Sequence, residues 1–232
     1  MSAPIAADAP HLASSASPIH ERLFVVLAAI FLTALLIADV TAGKFFSLGG
    51  MAISVGVIPF PITFVLTDVV NEYYGRRGAR LLTFVGMAML IFAFAIIALA
   101  RMLPIADNSP IPQPAFDAVF GQSFRFFSGS LVAYTLGQLT DIYAFQFYKR
   151  LTQSRHLWLR ATGSTAISQV IDTTVVTSVA LAGLLSASDI MKVILASYLY
   201  KMAVAITLTP LCYVAHAIVT DKLGMPPAPP ER

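Results

Sequence analysis

Three short stretches hold most of the residues that could do chemistry. In FVLTDVVNEYYGRRG (64–78), Asp68, Asn71 and Glu72 stand at i, i+3 and i+4, one face of a helix, just ahead of an arginine cluster. In AYTLGQLTDIYAF, Tyr134, Gln138, Asp141 and Phe145 recur at i, i+4, i+7 and i+11. In STAISQVIDT, Thr165, Gln169 and Asp172 recur at i, i+4 and i+7. The last two stretches share a Gln-x-x-Asp pair. Carboxylates accept hydrogen bonds, and glutamine both donates and accepts. Tyr134, with Tyr73, Tyr74, Tyr143 and Phe145 close in sequence to these groups, adds aromatic faces for a flat ring. The set suits a planar heterocycle rich in N–H donors, and it also suits a small cation.

The elements carrying these residues are membrane helices. The chain is 57% hydrophobic and 12% charged, about half the charged share of a soluble domain. Six apolar segments, at about 23–42, 53–75, 79–103, 126–148, 162–185 and 190–219, can each cross a hydrocarbon core about 30 Å thick. The expected fold is an all-α integral membrane protein with six transmembrane helices. Ten basic residues fall on the side that holds Arg76, Arg77, Arg80, Lys149, Arg150, Arg155 and Arg160. Four (Lys44, Arg101, Arg125 and Lys192) fall on the other. The positive-inside rule then puts both termini in the cytoplasm. Residues 1–20 and 223–232 read as disordered tails around a six-helix transmembrane domain at 21–222. The first tail lacks the basic start and apolar run of a signal peptide. Residues 104–125 form the longest loop, with a short interfacial helix at 114–124. Pro59 and Pro61 leave two readings of the second segment: a kinked ordinary helix, or a helix starting at Pro61 after SVGVIP dips in as non-helical chain.

Position along the helices sharpens the argument. Asp68 is eight residues from Arg76, Asp141 eight from Lys149, and Gln169 nine from Arg160. Three helices therefore bring polar groups to one layer roughly 12 Å from the basic boundary. An Asp at a membrane-helix centre costs about 2.5–3.5 kcal/mol, so these groups must face one another, a cavity or a ligand. The plainer alternative is helix glue worth about 0.6 kcal/mol per contact, which explains one Gln but not three carboxylate-bearing helices at one depth. Glu72, four residues before Arg76, can instead be an interfacial ion pair. Nearer the other face lie Asp39, Lys44 and Lys201. Asp39 and Lys201 can neutralise one another, or Lys201 can contact substrate, while Lys44 can snorkel.

These stretches together resemble the queuosine-precursor transporter family of the YhhQ type, also called the vitamin uptake transporters. The matching pieces are FPITFVLTDVVNEYYG, AYTLGQLTDIYAF with basic residues after it, STAISQVIDT and a Lys in the last segment, covering about 23–220. The resemblance implies a bacterial inner-membrane protein. It would import 7-cyano-7-deazaguanine or 7-aminomethyl-7-deazaguanine for tRNA modification. The family's polar motif positions fall on Asp68, Asn71, Glu72, Gln138, Asp141, Gln169, Asp172 and Lys201, and Asp39 departs from an Asn common near that place. With Tyr134, those eight residues form the expected substrate site.

Other classes fit less well. One cysteine, Cys212, excludes an intrachain disulfide and a thiol metal cluster, and no cofactor is expected. The net charge of +3 gives no reason to expect nucleic acid as a partner; the expected partners are a small-molecule base and the lipid bilayer, with a homodimer left open. A substrate-binding subunit of an ATP-driven uptake system is the main alternative, but the chain has no Walker motif and would need a separate ATPase. An intramembrane enzyme with an aspartate dyad is a remote alternative, since neither Asp141 nor Asp172 follows a Gly-x-Gly and no HExxH occurs. Proton coupling through a buried carboxylate would suit a secondary transporter.

Overall fold

The computed structural model describes residues 18–48, 51–153 and 155–229. It consists of α1 (Pro18–Thr41), a hairpin of β1 (Phe45–Leu48) and β2 (Met51–Ser54), a 3₁₀ turn (Val55–Val57), α2 (Phe60–Met102), α3 (Gln113–Leu151), α4 (Leu157–Leu181) and α5 (Ala187–Ala217). A single π-helical turn, Ile218–Lys222, follows α5. Large apolar side chains such as Val25, Ile30, Phe92, Leu99 and Ile206 point outward. Hydrocarbon leaves no water for stray polar groups, so a helix must satisfy its own. Thr33, Thr41, Thr67, Thr83, Thr135 and Thr207 do this by donating their hydroxyls to carbonyls four residues back.

Gly75 divides α2. Its φ of 65° and ψ of −169° lie in a region that essentially only glycine occupies, so two helical arms, 60–74 and 76–102, meet there. The first arm is about 22 Å long, short of the hydrocarbon thickness. It starts at Phe60 with Pro61 in its first turn, and the 3₁₀ turn precedes it. Neither reading of the second segment holds as made: α2 does not run through Pro59, and the entry expected as non-helical chain contains the 3₁₀ turn Val55–Val57. Gly75→Ala is expected to cost about 1–3 kcal/mol and to lower the yield of folded protein extracted in mild detergent. An unchanged melting temperature would show that the bend tolerates a side chain.

Among the described residues, three helical stretches are long and apolar enough to cross a membrane: Pro18–Thr41, Val55–Met102 and Ala187–Lys222. Helices α3 and α4 fall short of that measure because they carry the polar stripes. They pack antiparallel through small residues. A methyl added at Gly129 would meet Val179, one at Gly137 would meet Asp172, and one at Gly163 would meet Tyr148. The core on the other side joins Phe31 and Leu35 of α1, Leu66, Val70, Leu82 and Leu90 of both α2 arms, and Ile142 of α3.

Some expectations change. The interfacial helix at 114–124 is the first part of the continuous α3, whose 39 residues span about 58 Å. Residues 18–20 of the expected N-terminal tail already belong to α1. At the other end Met225 is buried against Val69, Tyr73 and Val219, and the Ala228 N–H donates to the Glu72 carbonyl at 2.8 Å. Residues 223–229 thus pack back onto the first α2 arm instead of trailing away. Residues 1–17 and 230–232 of the two tails lie outside the described residues.

Candidate functional site

The first α2 arm turns three stripes to three neighbours. Phe60, Phe64 and Thr67, at i, i+4 and i+7, face α3 and α4. Pro61, Val65 and Asp68, at the same spacing one residue on, face α4 and α5. Asn71 and Glu72, at the arm's end, face the basic ends of α3 and α4. The triplet Asp68, Asn71 and Glu72 therefore does not form one wall.

The first stripe closes a cavity with Tyr134, Gly137, Gln138 and Asp141 of α3 and Ser168, Gln169 and Asp172 of α4. Five of the nine expected site residues meet here. The Ser168 hydroxyl donates to Asp141 Oδ1 at 3.2 Å. Gln138 and Thr67 are within 3.5 Å of one another. Gln169 Oε1 is buried with no hydrogen-bond partner among the described residues. Tyr134 presents its ring, but its hydroxyl donates to the Thr83 carbonyl at 3.0 Å and so braces the second α2 arm. The flat faces come chiefly from Phe60 and Phe64, which the sequence reading did not pick out. Among the other aromatics expected to help, Tyr143 is exposed beneath Arg76, Phe145 packs against Arg160, Tyr73 bonds His216 and Thr220, and Tyr74 bonds the His20 carbonyl. The cavity measures about 20 Å³, which is room for about one water. An organic ring can enter only when α2, α3 and α4 part, so this conformation is closed around the polar layer.

Asp172 and Phe60 also border a second, larger cavity of about 90 Å³ toward the hairpin. Lys201 lies between them. Its Nζ donates to Asp172 Oδ2 at 2.7 Å and sits 4.5 Å from the centre of the Phe60 ring. The ion pair expected between Lys201 and Asp39 is not formed; Asp39 accepts from Ser130 instead, at 2.7 Å.

Asp68 stands apart, in a crevice with Cys212, whose thiol is 4.0 Å from Asp68 Oδ2. Asp68 Oδ1 has no hydrogen-bond partner among the described residues. Cys212 is the chain's only cysteine and is buried, so it reports on this crevice without engineering. Maleimide labelling of Cys212 in native membranes is expected to be at least roughly tenfold slower than in unfolded chain, because buried thiols are inert. Equal rates would mean that the α2–α5 crevice stands open.

Glu72 and Asn71 belong to a tie at the arginine end. Glu72 is fully buried between Lys149 at 3.1 Å and Arg160 at 2.8 Å. Arg76, the neighbour expected to pair with it, lies over Tyr143. Lys149 and Arg160 were counted as loop residues, yet they are 0% and 2% exposed. The last carbonyls of a helix need outside partners, and a cation there complements the dipole. Gln146 donates to the Asn71 carbonyl and side chain, and Lys149 and Ala228 to the Glu72 carbonyl. Sequence offered one signal for this tie, the acid and amide groups Asn71, Glu72 and Gln146 next to more basic residues than a helix end requires.

The expected all-α fold holds apart from the short β1–β2 hairpin, and a mainly helical, apolar protein that encloses amides and carboxylates between its helices has the build of a transporter. Residues 54–215 match the family described as "Putative vitamin uptake transporter", and the chain belongs to that family. A Bacillus subtilis (strain 168) protein named "Probable queuosine precursor transporter" is 33% identical over 185 residues, covering 79% of this chain and 80% of the relative. The Escherichia coli (strain K12) "Queuosine precursor transporter" is 32% identical over 119 residues, 51% of this chain and 50% of the relative. A Haemophilus influenzae relative that shares the Bacillus protein's name is 29% identical over 175 residues, 73% of this chain and 71% of the relative. No solved structure matches the chain.

Proposed function

We propose that the chain imports a queuosine precursor, 7-cyano-7-deazaguanine or 7-aminomethyl-7-deazaguanine, across the bacterial inner membrane. The observation that carries this reading is the closed layer in which Gln138, Asp141, Gln169 and Asp172 line one cavity with the rings of Phe60 and Phe64. A guanine-like ring offers N–H donors to the carboxylates and a carbonyl to a glutamine amide, while its faces stack on phenylalanine. Import needs no chemistry on the base, so the carboxylates act as hydrogen-bond acceptors and not as an acid–base pair. The names of the three relatives support the same substrate class.

In this reading the chain crosses the membrane six times, through α1, the two arms of α2, α3, α4 and α5. Both ends are cytoplasmic, and the arginine end with its buried tie lies at the inner face. The excess of basic residues on that side supports this orientation. Asn71 and Glu72 hold the first α2 arm in place around the substrate layer, Asp68 faces the crevice beside Cys212, and Lys201 tunes Asp172. The chain works without cofactor or metal.

The test is a rescue assay in bacteria that neither make deazaguanine precursors nor possess an importer for them. Expressing this chain and feeding either base at low concentration is expected to restore queuosine in tRNA. Correctly inserted protein that restores none would remove the substrate assignment. Uptake that persists unchanged after the proton gradient is collapsed would remove proton coupling.

A further inference from the structure

The larger cavity at the hairpin end has a charge pattern that the polar layer does not use. Asp39 of α1, Ser130 of α3, Asp172 and Thr173 of α4 and Lys201 of α5 surround it. Two carboxylates face one ammonium there. Lys201 is committed to Asp172, so the charge of Asp39 is not matched by it. Asp39 is 7% exposed and satisfies one oxygen, Oδ1, with the Ser130 hydroxyl. Asp39 Oδ2 is buried without a hydrogen-bond partner among the described residues, and so is the Thr173 hydroxyl on the same cavity.

An unmatched buried carboxylate oxygen is costly, and it gains most from a charged donor. The cavity therefore excludes an anion and is ill suited to a group that only accepts hydrogen bonds. A multidentate metal site is not present either, since no cluster of three His, Cys, Asp or Glu occurs among the described residues. A primary ammonium fits. It carries one positive charge and three donors, enough for Asp39 Oδ2 and Thr173 with one to spare. The cavity of about 90 Å³ shares Asp172 and Phe60 with the polar layer, with the Lys201 side chain between them, so a short substituent on a ring in that layer reaches it past Lys201.

We propose that Asp39 and Thr173 form a subsite for a primary ammonium group on the transported base, which makes the chain selective for the aminomethyl precursor over the nitrile. This rests on the deazaguanine reading above. A nitrile ends in a nitrogen that only accepts, and opposite Asp39 it would leave the carboxylate unmatched.

The test uses purified full-length protein in detergent with choline as the only buffer cation. Thermal stabilisation is titrated with the aminomethyl base, the nitrile base, methylammonium and sodium. Wild type is expected to bind the aminomethyl base at least roughly tenfold more tightly than the nitrile, the scale of one charge-assisted hydrogen bond. Asp39→Asn is expected to bring the two within about twofold by weakening only the aminomethyl base. Should Asp39→Asn fail to insert, Thr173→Val must narrow the same ratio. An unchanged ratio in these variants, or an equal loss for both bases, would overturn the subsite. Sodium binding that depends on Asp39, with no preference between the bases, would assign the cavity to an inorganic cation and overturn it too. If neither base binds wild type but methylammonium does so through Asp39, the ammonium subsite stands and the deazaguanine reading falls.

Discussion

Replacing Glu72 with glutamine is expected to destabilise the protein more than any other single polar exchange considered above. The side chain keeps its size but loses its charge, which leaves Lys149 and Arg160 buried beside a neutral amide. Removing one partner of a buried ion pair costs about 3–5 kcal/mol. For a chain of this size that amounts to a fall of roughly 6–20 °C in melting temperature. The effect should extend beyond the triad, because Lys149 also binds the Glu72 carbonyl at the Gly75 bend, where Ala228 docks. Melting of the purified variant and its yield from membranes are the measurements. Exchanging all three residues for apolar ones of similar volume should recover much of the loss, since the penalty lies in the orphaned cations. A Glu72→Gln protein melting within about 2 °C of wild type would mean that water reaches the triad and screens it.

This triad also marks where the sequence stops being readable. Charged residues at a helix end are normally taken as loop markers, and Arg150 and Arg155 behave that way. Lys149 and Arg160 have the same local context, yet their long side chains fold inward to a carboxylate on another helix. That carboxylate sits at the end of the first α2 arm, next to the bend at Gly75, and glycine alone does not announce a bend. The two Gln-x-x-Asp pairs were legible for the opposite reason. Each sits on a single regular helix, so spacing fixes its face, and equal distance from the basic ends fixes its depth. Asp68, Asn71 and Glu72 share a face by spacing as well. A face about a third of the helix wide nevertheless meets three neighbours, and the sequence does not say where those neighbours divide it. Phe60 and Phe64 were missed because phenylalanine in a membrane helix looks like lipid-facing bulk. Their role follows only from the short first arm of α2, which aims its opening turns into the bundle.

Asp141→Asn is the exchange that should separate transport from stability. Asp141 lies in the closed layer, has no ion pair among the described residues and has Ser168 as a hydrogen-bond donor. Asparagine matches its shape and keeps one acceptor oxygen, so the helices should pack as before. The variant gives up a charged acceptor and presents an N–H₂ where a base would offer its own donor. A hydrogen bond to a charged group is worth about 1.5–3 kcal/mol, so precursor uptake should fall by roughly 10–100-fold. Membrane level and melting temperature should stay close to wild type, in contrast to Glu72→Gln. Ser168→Ala supplies the control, because it removes one donor to Asp141 and keeps the carboxylate itself for substrate. Its uptake should change by only about twofold if the carboxylate itself meets the base. Were Asp141→Asn to transport at the wild-type rate, the base would have to be read by Asp172 and the glutamines alone. Were it to lose uptake only in proportion to lost protein, Asp141 would be another tie between α3 and α4, and the binding layer would have to be sought around Asp172 and Lys201.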